Sequence, residues 1–308
     1  MRALVTGGAG FIGAAVARAL LGRGDEVVVF DDLSAGTKEA VPEGADLVIG
    51  DIRNRDALAA SFDGVAVVFH HAAVKSVPRS LDEPDLVNDV NSGGTLNVLQ
   101  AAERAGVQRV IYASSSSVYG GSDGKPSQED DAPDPMSPYA VSKLAGEYYC
   151  RVWASLGKLS TVTLRYFNVF GPGQRADSKY AAVFPAFISA MQRGEQPVIY
   201  GDGEQTRDFT FVDDVVDANL LASSADNRLD GKVINVAGGD PRTINQVFEA
   251  VRDVIKAKLE PERLATRAGD IRHSYADPSL ARDLLGWGPR TKWSDAVPRT
   301  VEWFGSQR

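Results

Sequence analysis

The chain has 308 residues, enough for one large domain or two modest ones, and with 44% hydrophobic and 24% charged residues it has the composition of a globular protein with a sizeable core. Its net charge of −8 is spread along the chain, which argues against nucleic acid as a main partner because phosphate binding needs a basic patch, although a local anion site needs only backbone amides or a few arginines. Cys150 is the only cysteine, so no intrachain disulfide forms, and no apolar run approaches membrane-spanning length.

The opening "MRALVTGG" enters a strand at once, without signal-peptide organisation, so the expectation is a soluble, cytoplasmic protein with no membrane partner. In chain order, "RALVTG", "EVVVFDD", "DLVIGD", "AVVFHHAA", "RVIYASSS" and "STVTLRYFN" are short runs rich in Val and Ile without strict alternation. That is the pattern of strands covered on both faces. Between them "FIGAAVARALLGRG", "RDALAASF", "NSGGTLNVLQAAERAG" and "SPYAVSKLAGEYYCRVWASLG" carry helical period, and most stop at Gly. Cys150, inside the last of these, reads as a small core residue. Alternation of this kind over about 170 residues predicts an α/β fold, a Rossmann-like doubly wound parallel sheet.

After Gly171 the rhythm breaks. The stretch to Phe211 is rich in loop residues and holds one clear helix; "VDDVVDANLLASS" and "KVINVAG" then return a helix and a strand to the sheet, with Asp213 or Asp214 near the helix N-cap. The tail from "RTINQVFEAVRDVIKA" forms a smaller unit with Trp287, Trp293 and Trp303 in its core. The predicted division is a dinucleotide-binding domain from residues 1–170 plus 209–238, and a smaller, mainly C-terminal α/β domain from 171–208 plus 239–308.

"VTGGAGFIG" places Gly7, Gly8, Gly10 and Gly13 between the first strand and the first helix. A tight turn without Cβ atoms lets backbone amides reach a pyrophosphate at the helix N-terminus. Asp31 follows Gly13 by 18 residues, about the interval at which an acid binds the adenosine ribose. Its carboxylate would accept from both ribose hydroxyls and repel a 2′-phosphate, which favours NAD over NADP. Asp51 and Ile52, closing the third strand, are candidates for holding the adenine.

"SPYAVSKLAGE" sets Tyr139 and Lys143 four residues apart on one helix face. A free tyrosine has a pKa of about 10. A neighbouring ammonium and the positive ring of NAD would favour its phenolate, which can take a proton from an alcohol while hydride leaves the same carbon.

These segments, with "HHAAVKSVPRS", "ASSSSVYG", "RYFNVFGPGQ", "GDGEQTRDFTFVDDVV" and "GDIRHSYADPS", resemble an extended short-chain dehydrogenase/reductase of the sugar-nucleotide epimerase/dehydratase family over essentially the whole chain. The resemblance implies that Tyr139 is the general base, Lys143 binds the nicotinamide ribose and Ser115 assists proton transfer. It implies an NAD site drawing on Gly7, Gly10, Phe11, Ile12, Asp31, Asp32, Asp51, Ile52, Ala72, Ala73, Lys75, Asn91 and Phe167. For a UDP-sugar it implies Ser76, Ser115, Ser116, Ser117, Asn168, Val183, Arg207, Arg267, Asp270 and Ser274, the arginines on the diphosphate and Asp270 on the uridine ribose.

Relatives that eliminate water carry an Asp-Glu pair directly after the position of Ser115, and decarboxylating ones a glutamate at that of Ser117. Ser116 and Ser117 are uncharged, so the expected reaction is the minimal one, a UDP-hexose 4-epimerisation with tightly bound NAD. Ser274 stands where a bulky tyrosine restricts some relatives to unsubstituted hexoses, so both hexose and N-acetylhexosamine are expected substrates. Lys75 is more like the general galactose epimerases, and Arg79 raises a carboxylated sugar such as UDP-glucuronate as the alternative, beside a 4,6-dehydratase. The family habit is a homodimer through the helices that carry "NSGGTLNVLQ" and "SPYAVSKLAG". His70, His71 and His273 lack metal-ligand spacing, so no metal is expected.

Overall fold

The Val- and Ile-rich runs form strands in the computed structural model, which describes residues 1–122, 124–176, 182–225, 229, 231–266 and 271–306. The first half runs β1 (Arg2–Thr6), α1 (Phe11–Gly22), β2 (Glu26–Asp31), β3 (Asp46–Ile49), α2 (Arg55–Ala60) and β4 (Val67–His70). There follow α3 (Val77–Asp82), α4 (Pro84–Val87), a π-helical turn (Asn88–Gly93), α5 (Gly94–Arg104), β5 (Arg109–Ser115), a 3-10 turn (Ser116–Tyr119), α6 (Pro138–Ser155) and β6 (Ser160–Tyr166). The second half holds β7 (Val169–Phe170), α7 (Val183–Arg193), β8 (Val198–Tyr200), β9 (Thr206–Arg207), β10 (Thr210–Phe211), α8 (Val212–Ser224) and β11 (Lys232–Val236). It closes with β12 (Arg242–Thr243), α9 (Ile244–Ile255), β13 (Glu262–Leu264), β14 (His273–Ser274), α10 (Ser279–Leu285) and α11 (Trp293–Ser306).

Seven strands make one sheet in the order β3-β2-β1-β4-β5-β6-β11, and every neighbouring pair is parallel. The order reverses between β1 and β4, and ligands of such sheets bind at that switch point, beyond the carboxyl ends of the strands. Successive side chains of each strand go to opposite faces. Val5, Val29, Phe69, Ile111 and Leu164 face α1 and α8, packing on Val16, Leu20 and Val215. Leu4, Val28, Phe30, Val68 and Tyr112 face the other way onto Leu58, Leu99 and Cys150. Covering both faces is what removes the polar alternation from the strand sequences. Cys150 is fully buried there, and burial pushes its thiol up to about 12.

A separate aromatic core gathers Phe170, Phe184, Phe187, Phe209, Phe211, Phe248 and Phe304 beyond the sheet. Trp293 and Trp303 pack against it, but Trp287 does not: at 1% exposure it belongs to the main core beside Ala281 and Leu285, and its indole donates to the Asp214 carbonyl at 2.8 Å. The tail is thus tied back to the sheet. Asp213 and Asp214 do not cap α8, whose N-cap is Phe211 without a side-chain bond. Asp214 instead accepts from the amides of Arg290 (3.0 Å) and Thr291 (3.2 Å), fixing the segment before α11. Among the described residues no helix is long and apolar enough to cross a membrane.

Candidate active site

The turn after β1 is shaped for close approach. Gly7 has φ +71°, and a Cβ there would lie 2.6 Å from the Ala72 amide nitrogen; one at Gly13 would collide with the Gly7 carbonyl oxygen. α1 then starts at Phe11 behind Gly10, with no side chain capping its N-terminus and no acid in its first turn. Its first amides therefore have no side-chain acceptor and favour an anion.

At the end of β2 the Asp31 carboxylate is 7% exposed and accepts from the amides of Ala9 (3.0 Å) and Leu33 (2.8 Å). Burial raises its pKa, and these two amides oppose the rise. Each oxygen keeps a lone pair for a ribose hydroxyl. Asp32 accepts from the Ser34 amide and hydroxyl in a local turn. Asp51 is held by the Arg53 side chain at 2.9 Å, which lowers its pKa, and Ile52 is 4% exposed in the core.

Asn91 is fully engaged by its neighbours. It is 1% exposed; its carbonyl accepts from Val74 N (2.8 Å), and its amide donates to Val74 O (3.1 Å) and Ser142 Oγ (2.9 Å). Both amide hydrogens are spent, so it pins the Ala72–Val74 segment to α6. The π turn that carries it is an irregularity frequent at functional sites. His70 is fixed between Thr6 (2.7 Å) and Thr95 (2.9 Å), while His71 stacks on Tyr166. Burial, with Lys143 nearby, lowers both imidazoles to about 3, so both stay neutral.

The catalytic candidates converge where β5 ends. α6 begins with Ser137 accepting from Ala140 N (3.2 Å) and Pro138 in the first turn, which sets Tyr139 just inside the helix. Lys143, one turn on, is 4% exposed and donates to the Ala113 carbonyl at 2.8 Å, with Nζ 6.0 Å from the Tyr139 ring centre. Burial pulls its ammonium down to about 8, with Glu147 opposing. Burial raises the half-buried Tyr139 phenol, and a hydrogen bond with Ser115 opposes that. Without cofactor, therefore, desolvation outweighs that opposing contact and the phenol keeps its proton. Ser116 and Ser117 continue into the 3-10 turn, the Ser117 amide donating to Ser115 Oγ at 3.2 Å.

Beneath this edge lies a pair the motif reading passed over. Glu147 accepts from Ser114 Oγ (2.5 Å) and from Arg165 Nε (2.9 Å) and a terminal nitrogen (2.7 Å), with both ion-pair side chains 3% exposed. Its sequence signal was its place four residues after Lys143, on the same face of α6.

On the far side of the cleft, Arg207 of β9 and Ser274 of β14 are paired in register, and the Arg207 guanidinium donates to Thr206 O at 2.9 Å. Asn168 has φ 32° and donates to Asp208 O at 3.0 Å. Asp208 itself accepts from Gly239 N and is raised by burial to about 6. Val183 opens α7, whose N-terminus has no side-chain cap. Ser76 caps α3 by accepting from Arg79 N, and Lys75 beside it is exposed. Phe167 is 1% exposed among Val118, Tyr119 and Ala276 and presents no open ring face. Arg267 and Asp270 lie outside the described residues. Among the described residues no group of three or more His, Cys, Asp or Glu could hold a metal ion.

A glycine cradle at the switch point, an acid at the end of β2 and a Ser-Tyr-Lys cluster define a dinucleotide-dependent enzyme acting on an alcohol or carbonyl carbon. Residues 3–237 match the model of the NAD dependent epimerase/dehydratase family, and the chain belongs to that family, with NAD as its cofactor. It is 40% identical to a UDP-glucose 4-epimerase of Mycolicibacterium smegmatis, over 99% of this chain and 98% of that protein. Among solved structures it is similar to a UDP-N-acetylglucosamine 4-epimerase from Methanobrevibacter ruminantium M1 in complex with UDP-N-acetylmuramic acid (TM-score 0.95, 40% identity, 100% of this chain and 99% of that one). A Thermus thermophilus UDP-glucose 4-epimerase in complex with NAD matches with TM-score 0.93 and 34% identity over 100% of both chains.

Proposed function

We propose that the protein is an NAD-dependent UDP-hexose 4-epimerase, with NAD seated on residues 1–170 plus 209–238 and the UDP-sugar held by 171–208 plus 239–308. The observation that carries this reading is the lack of an available carboxylate at the catalytic edge. Ser115, Ser116 and Ser117 are neutral, and among the described residues the acid packed beneath them, Glu147, is committed to Ser114 and Arg165. An edge of this kind cannot remove a C5 proton or expel a C6 hydroxyl as water.

NAD, when bound, would supply the acceptor for hydride from the sugar C4 and the donor for its return. The chain supplies the proton steps. Ser115, at the end of β5 beside Tyr139, receives the C4 hydroxyl and hands its proton to the phenolate; the Lys143 ammonium, with Nζ 6.0 Å from the Tyr139 ring centre, favours that phenolate. Arg207 binds diphosphate oxygens, and the first amides of α7 add an anion site at Val183. With the diphosphate anchored, the 4-keto sugar can turn over between the two hydride transfers.

Incubation with UDP-sugars, followed by NMR of the products, should give 4-epimers that retain the C6 hydroxyl. Tyr139→Phe should retain NAD and lose at least about a hundredfold in turnover, within the range for a lost general base. A 4-keto-6-deoxy product, or near-normal turnover by Tyr139→Phe, would sink the assignment.

Half-buried Ser274 leaves room for an N-acetyl group, which supports turnover of UDP-N-acetylglucosamine and UDP-N-acetylgalactosamine besides UDP-glucose and UDP-galactose. UDP-glucuronate is disfavoured because the Arg79 guanidinium is paired with Glu83 at 2.9 Å. Ser274→Tyr should suppress UDP-N-acetylglucosamine turnover more than that of UDP-glucose; equal losses would remove Ser274 as the size gate.

α6 carries an exposed apolar row, Val141 (53%), Tyr148 (47%), Val152 (45%) and Leu156 (61%), at helical spacing. We assign this row to the contact with a second copy of the chain, since contiguous apolar patches on this scale mark interaction surfaces. Light scattering on a sizing column should give a dimer, shifted to monomer by Val152→Glu. A monomeric parent protein would contradict the assignment.

A further inference from the structure

Tyr139, Lys143 and Glu147 stand at successive four-residue steps on one face of α6. The Lys143 ammonium, 4% exposed, makes its hydrogen bond to the neutral Ala113 carbonyl. A buried ammonium without a counter-charge tends to give up its proton. The groups around it offer little help. β5 presents Tyr112, whose ring centre is 5.2 Å from Nζ; β4 leads into His70 and His71, both neutral; and the π turn presents the amide of Asn91. The 3-10 turn brings Tyr119, whose phenol burial raises to about 12, and β6 brings the cation Arg165. Of these groups Glu147 alone is acidic, and its position is fixed by Ser114 and two Arg165 bonds.

We propose that Glu147, locked by Arg165 and Ser114, is a positioning residue that keeps Lys143 protonated beside Tyr139. It works through Lys143 and does not touch the substrate. The inference rests on the catalytic reading of Lys143 for its relevance, but it can be tested without substrate.

Lys143 titrates at about 8 in the folded chain and at about 10.4 when unfolded. Between those values the unfolded chain binds more protons, so stability rises with pH across the window. The stability difference between the parent protein and Lys143→Met therefore isolates this group: constant below about pH 8, it should shrink as pH rises toward 10.4. Repeating the comparison with Glu147→Gln in both chains should move the start of that shrinkage down by about one pH unit, a tenfold change in proton affinity. An unchanged onset would overturn the proposal.

Glu147→Gln leaves Arg165 buried without its partner and can fail to fold. The charge-free pair Glu147→Leu with Arg165→Met keeps packing without that penalty and should also move the onset downward; an onset like the parent's would overturn the proposal. Turnover adds a second readout. The alkaline limb of the kcat profile, read relative to the variant's own plateau, should move downward in Glu147→Gln, whereas a loss of the same factor at every pH with the limb in place would mark a purely structural role. If the epimerase reading fails, the parent protein shows no turnover, yet the stability titration still decides the role of Glu147.

Discussion

The Glu147–Arg165 ion pair joins α6 to β6 under the carboxyl end of β5, with both side chains 3% exposed. Removing two charges from water costs several kcal/mol per ion, offset only when the pair is held close and hydrogen-bonded. Three bonds hold it here, from Arg165 Nε, one of its terminal nitrogens and Ser114 Oγ, and the guanidinium carbon lies 4.5 Å from the Tyr119 ring centre. A shift of α6 along the sheet would break all three together. The register of that helix decides where Tyr139 and Lys143 stand against Ser115, so the proton-transfer edge depends on a contact a layer beneath it.

A second constraint comes from the sheet. With β1 and β4 paired up to Thr6 and His70, the backbone of residues 71–72 lies against the glycine turn, close enough that Gly7 tolerates no side chain. The Ala72–Val74 segment is then clamped by Asn91 and, through Ser142, tied to α6. One helix thus positions the proton-transfer groups and the strand-end segment lining the cofactor cradle. The proposed substrate side is built differently: short strand pairs and backbone groups gathered around Asp208 hold Arg207, Asn168 and Ser274. It therefore carries fewer long-range periodic signals.

This difference explains what the sequence made legible. The parallel sheet, the glycine turn, Asp31 and the Tyr139–Lys143 spacing all follow from local patterns of 2.0 or 3.6 residues or from a fixed turn chemistry, and all could be read directly. Two-residue strands such as β9 and β14 have no periodicity to detect, and the π turn at Asn88–Gly93 departs from the helical repeat. The bonds of Asn91 to Val74 and Ser142, and of Asp51 to Arg53, were not legible because sequence does not reveal which hydrogen bonds a side chain has already made. Asp214 stands in the first turn of α8 as the pattern indicated, but the tertiary contact of its carboxylate with Arg290 and Thr291 had no local signal. Trp287 returned to the main core for the same kind of reason, a long-range bond to Asp214 O.

The uncharged edge at Ser115–Ser117 carries the account, because it separates return of a hydride from elimination of water. UDP-glucose deuterated at C4, incubated in ordinary water, tests that claim most directly. The account predicts UDP-galactose that keeps its deuterium at C4, with no solvent exchange at C5 in a parallel reaction run in heavy water. Deuterium appearing at C6, or solvent deuterium entering C5, would contradict it.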